Sequence, residues 1–78
     1  MITVEQQRII NYLTRRYDSL SEKQLNSELQ KILSRLTKSG TWELEFLEDV
    51  LEKLRKKEGW SKPRTVAYLD ALDISDRT

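Results

Sequence analysis

Cysteine and histidine are both absent from the 78 residues. Without cysteine there is no disulfide framework, no thiolate metal site and no thiol nucleophile. Without histidine the usual general base and the commonest metal ligand are missing. Nothing is therefore available to activate a serine or threonine, or Tyr12, Tyr17 or Tyr68. Neither a Gly-x-Ser-x-Gly elbow nor a glycine-rich phosphate loop occurs. The composition points away from catalysis and implies no cofactor. No apolar run comes near the ~20 residues of a membrane span. The start, MITVEQQRII, lacks the basic-then-apolar pattern of a signal peptide. A cytoplasmic protein without membrane association is the expectation.

Glycine and proline are also scarce, two and one respectively, and each falls where a helix would begin or end. Thr3-Val4-Glu5-Gln6 fits a capping box, opening a helix at residues 3–16 with Ile9, Ile10, Leu13 and Tyr17 on one side. Ser19-Leu20-Ser21-Glu22 fits a second box, starting a helix over 20–38. Its Leu25, Leu29, Ile32, Leu33 and Leu36 make the clearest amphipathic stripe in the chain. Gly40 suits the left-handed position that closes it. Thr41 is the expected cap of a third helix, 42–58, carrying Leu44, Leu47, Val50, Leu51 and Leu54 inward. Arg55, Lys56 and Lys57 sit in its last turn, where the helix dipole favours cations. Gly59 reads as the next left-handed stop, and Trp60 after it as the apolar companion of Leu54 in a Schellman cap. Ser61 then caps a fourth helix, 62–72, with Pro63 in its first turn. Residues 74–78 read as a frayed tail. The predicted fold is all-α: one domain, 1–78, a compact bundle of four helices with short connections.

Net charge is +1 but unevenly spread. Residues 1–40 hold seven Lys/Arg against four Asp/Glu, residues 41–58 four against six, and residues 59–78 three against three. Nucleic-acid binding would thus need a local patch rather than a basic chain. One candidate is RKKEGWSKPR, where Arg55, Lys56, Lys57, Lys62 and Arg64 surround Trp60. With Thr65 it sits at a corner resembling the turn of a helix-turn-helix, and residues 51–72 would then place helix four in a major groove. Against this, Val66 and Leu69 fall one residue late for that motif, and bulky Arg55 stands where a small residue allows close crossing. Three of the cations are also explained by the helix C-terminus. A second candidate is the stripe Lys31, Arg35 and Lys38. A third is Arg8, Tyr12 and Arg15, an aromatic between two cations, as suits an acidic partner or single-stranded nucleic acid. Glu45, Glu48, Asp49 and Glu52 read as a solvated face, with Asp49–Lys53 and Glu52–Lys56 as i,i+4 pairs.

These features favour a small non-catalytic interaction or adaptor module that binds another protein through a helical surface. The alternative is a helix-turn-helix DNA-binding regulator. A homodimer, with the acidic third helix against the basic N-terminal half of a second copy, is the third reading.

Overall fold

Thr3 opens the first helix in the expected way. Its hydroxyl accepts from the Gln6 N–H at 3.1 Å, and its own N–H donates to Gln6 Oε1 at 3.0 Å. From there the computed structural model describes residues 3–77 as four helices: α1 (Val4–Asp18), α2 (Glu22–Lys38), α3 (Leu44–Lys57) and α4 (Lys62–Arg77). Met1, Ile2 and Thr78 lie outside the described residues. There is no strand among the described residues, and none of their helices is long and apolar enough to cross a membrane.

Four local expectations change. The second capping box belongs to Ser21 and Gln24, not Ser19 and Glu22. Ser19 still has helical dihedrals (φ −81°, ψ −7°) and closes α1, its hydroxyl donating to the Arg16 carbonyl at 2.8 Å. Only at Ser21 does the backbone become extended (ψ 163°), as an N-cap requires. Helix α3 starts at Leu44 rather than 42. Its N-cap is Glu43, which makes no side-chain cap bond, so Thr41 does not cap it. At 14 residues α3 is the shortest helix. The expected frayed tail is helical through Arg77, because Asp73 is buried and tied to Arg35 of α2.

The two glycine stops hold. Gly40 has φ +77° and Gly59 φ +64°, and no other described residue has positive φ. After Gly59 the Trp60 N–H donates back to the Leu54 carbonyl at 3.2 Å, one residue further back than the C″-to-C3 bond of a Schellman cap.

Helix α4 is the centre of the packing. It lies broadly along α1 and α2 and touches α3 more sparingly. Thr65, Val66, Ala67, Leu69 and Asp73 are all buried, and Tyr68, Ala71 and Leu72 are half-buried. Buried positions that follow one another along a helix, as Thr65, Val66 and Ala67 do, need cover from more than one neighbouring helix. Leu13 and Tyr17 of α1, the five apolar residues Leu25, Leu29, Ile32, Leu33 and Leu36 of α2, and Leu47 and Leu51 of α3 close around it.

Helix α3 is the lightly held one. Of its expected inner stripe, only Leu47 and Leu51 are buried; Val50 and Leu54 are half-buried, and Leu44 faces solvent.

A Cβ added at Gly59 would meet nothing within 4 Å, so substitution there tests backbone conformation alone. Gly59→Val should lose ~1–2 kcal/mol, the left-handed cost for an L residue, and Gly59→Asn markedly less. Chemical denaturation of the two variants measures the difference; equal losses would mean the left-handed cap does not govern this corner.

Candidate functional site

The polar residues nearest the core form one connected group. Arg35 of α2 donates through Nε to Asp73 Oδ2 at 2.8 Å and through Nη2 to Asp70 Oδ1 at 3.4 Å. The Tyr17 hydroxyl of α1 donates to the other Asp70 oxygen at 3.0 Å. Asp73 is only 5% exposed, so its carboxylate needs a partner. Burial first, and the Asp70 carboxylate second, push the Tyr17 phenol up to about 12. Three helices are thereby joined by one chain of bonds, all of whose partners lie within the fold. This is a clamp between α1, α2 and α4.

The corner at 57–65 is similarly occupied with its own structure. The Trp60 ring stands edge-on to Tyr68 at 5.3 Å and carries the Arg64 guanidinium over its face at 4.5 Å. Such cation–π contacts hold the cation in place without a salt bridge. Lys62 Nζ reaches Glu22 Oε1 at 2.8 Å, pinning the start of α4 to the start of α2 and lowering the Glu22 carboxyl below its usual range. Thr65 is 0% exposed, and its hydroxyl donates to the Ser61 carbonyl at 2.9 Å. Of Lys62, Arg64 and Thr65, the three residues that would meet bases, Arg64 alone is exposed. A recognition helix must offer its outer face to the groove. In the first two turns of helix α4 only Arg64 is exposed, and Thr65, Val66, Ala67 and Leu69 are buried.

The remaining sequence-predicted residues do not converge. Arg35 leaves the proposed stripe and points into the clamp, separating Lys31 from Lys38. Lys31 pairs weakly with Glu28 at 3.8 Å, and Lys56 with Glu52 at 2.8 Å, which raises the Lys56 ammonium above its ordinary value. Lys38, Arg55 and Lys57 are exposed at helix ends, as the dipole favours.

Leu44, expected in the inner stripe, and Phe46, which the sequence left unassigned, are instead exposed. Leu44 is 49% and Phe46 51% exposed at the start of α3. Phe46 stacks on Trp42 with centroids 5.8 Å apart and planes 18° from parallel. Trp42 packs on the core with its other edge, and its indole N–H is buried without an acceptor, so this loop is not optimised for stability. Thr41, Trp42, Glu43 and Phe46 line a shallow hollow of about 320 Å³. Residues 42–52 carry five carboxylates and no cation; Glu43, Glu45 and Glu48 have no ion pair among the described residues. The combination is an aromatic platform within unneutralised negative charge.

Comparison with protein-family models, curated proteins and solved structures finds no match to this chain. The described residues also contain no cluster of acidic side chains suited to holding a metal ion.

The clamp makes two expectations. Arg35→Ala should destabilise by ~1–3 kcal/mol, since it strips donors from a buried carboxylate, whereas Lys31→Ala should change stability by less than ~0.5 kcal/mol. Equal effects in thermal melts would mean Arg35 is an ordinary surface cation. The second concerns Tyr17. An unfolded tyrosine ionises near pH 10, below the folded value of about 12. The contribution of its neutral phenol is therefore complete below pH ~10 and is lost as pH rises toward 12, by on the order of 2 kcal/mol. Wild type should exceed Tyr17→Phe in stability at pH 8, and the gap should close between pH 10 and 12. A gap that stays constant with pH would remove Tyr17 from the clamp.

Proposed function

We propose that this chain is a non-catalytic protein-interaction module, docking a cationic amphipathic segment of a partner protein on the aromatic platform at the start of α3. The observation that carries the reading is the exposure of Phe46, stacked on Trp42, beside Glu43, Glu45 and Glu48, which have no ion pair among the described residues. Large apolar side chains at a centre of contact, ringed by polar groups, are the usual anatomy of an interface. The uniform negative charge of residues 42–52 selects for lysine and arginine on the partner and speeds encounter with it. The basic corner around Trp60 supports this role less well, because its tryptophan, arginine and lysine already satisfy one another. The regulator reading would need another surface than α4.

A synthetic Leu- and Lys-rich amphipathic helix serves as the probe. Tryptophan fluorescence should report binding that weakens with salt, as screened charge requires. Phe46→Lys should weaken it at least tenfold, about 1.4 kcal/mol, without loss of helicity, because Phe46 is half exposed. Arg64→Ala should leave it unchanged. Affinity that ignores Phe46 but falls with Arg64→Ala would move the site to the Trp60 corner and overturn the proposal.

A further inference from the structure

Helix α1 has an outer face of the opposite character. Val4, Arg8, Tyr12 and Arg15 recur at spacings of four, four and three, which puts them on one side of a helix. That side is opposite Ile10, Leu13 and Tyr17, which are buried. Val4 is 75% and Tyr12 69% exposed, the most exposed large apolar residues described. Arg8 and Arg15 are exposed and have no ion pair among the described residues. The chain therefore carries two unpartnered faces: apolar with free cations on α1, and apolar with free carboxylates at the start of α3.

We infer that these two faces meet between copies: α1 of one molecule lies on the Trp42–Phe46 platform of another. The inference rests on the docking role of that platform and names its occupant. Tyr12 meets the paired rings, adding an aromatic contact in an offset or edge-on arrangement. Arg8 and Arg15, two turns apart or about 10 Å along the helix, flank it and reach carboxylates on either side of the platform. Glu43 lines the hollow beside Trp42 and Phe46. Asp49 lies three residues beyond Phe46 and is its neighbour on the helix surface; its exposed pairing with Lys53 at 3.2 Å is weak and easily exchanged. The contact joins two different patches. It closes into a two-fold dimer where both patches engage at once, and otherwise propagates head to tail.

Sedimentation of the full chain at low and physiological salt is the test. The wild-type weight-average mass should rise above the 9.3 kDa monomer with concentration and fall back as salt is added. Arg8→Glu with Arg15→Glu should be monomeric, and so should Glu43→Lys with Asp49→Lys. Glu43 makes no cap bond to lose, and circular dichroism checks that each double variant remains helical. An equimolar mixture of the two variants should associate again, since the reversed charges are complementary, and this arm holds even if one variant is partly destabilised. Association that persists in both double variants, or no rescue on mixing, would overturn the inference. A wild type that stays monomeric while still binding the Leu/Lys probe through Phe46 would overturn it and leave the docking role standing. Loss of probe binding as well would remove both.

Discussion

Five residues of α4, Thr65, Val66, Ala67, Leu69 and Asp73, are buried together, and the placement of the other helices follows from the cover they need. The run Thr65-Val66-Ala67-Tyr68-Leu69 is buried or half-buried throughout, so it needs neighbours on more than one side. Helices α1 and α2 supply most of the cover, being the two with well-formed capping boxes and continuous inner stripes. Enclosure also raises the energetic stakes for Asp73, a carboxylate within the wall of the core. A buried charge is tolerated only when it is hydrogen-bonded and paired. Arg35 meets that demand from α2, while Tyr17 brings α1 to the neighbouring Asp70. The clamp ties three helices together.

Helix α3 stands in a different position. The cover it contributes is two leucines, with Trp42 at its entrance, and the rest of its apolar surface remains available. The shortage of contacts that makes it a weak structural member leaves Phe46 exposed, and stacking on Trp42 already orders the two rings. Its charge is separated along its length. Carboxylates crowd the first two turns beside the aromatic platform, and cations fill the last turn, where they complement the dipole and Glu52.

Much of this was legible before any coordinates. Capping residues, glycine stops and the Leu25–Leu36 stripe are local signals, and local signals specified the helices to within a few residues. The departures beyond the caps have a common cause: each concerns which of several compatible surfaces faces inward, a question decided between helices. Leu44 and Phe46 are two residues apart, so on a helix they point to nearly opposite sides and cannot both be core; that spacing was the available sign that the third helix offered apolar surface to solvent. Asp73 falls four residues after Leu69 and seven after Val66, on the buried stripe of α4. Its position signalled a buried carboxylate in want of a cation, and hence a helix that continued rather than frayed. Which cation answered was not legible, because Arg35 lies 38 residues away and nothing local distinguishes it from Lys31 or Lys38. Thr65 was mistaken for a surface residue for a related reason: a threonine bonded to its own helix's carbonyl is effectively apolar and can be fully buried.

The central claim is that α4 is the enclosed member of the fold and α3 the loosely attached one whose outer face is free to bind. Amide hydrogen exchange under native conditions measures it directly, because local opening reports how strongly each helix is held. The slowest amides should lie in α4 around Val66–Leu69, with their partners in α2 close behind, and α3 should exchange earlier, through an opening that leaves the other three helices protected. Protection in α3 equal to that in α4, with all helices exchanging only through global unfolding, would contradict the account.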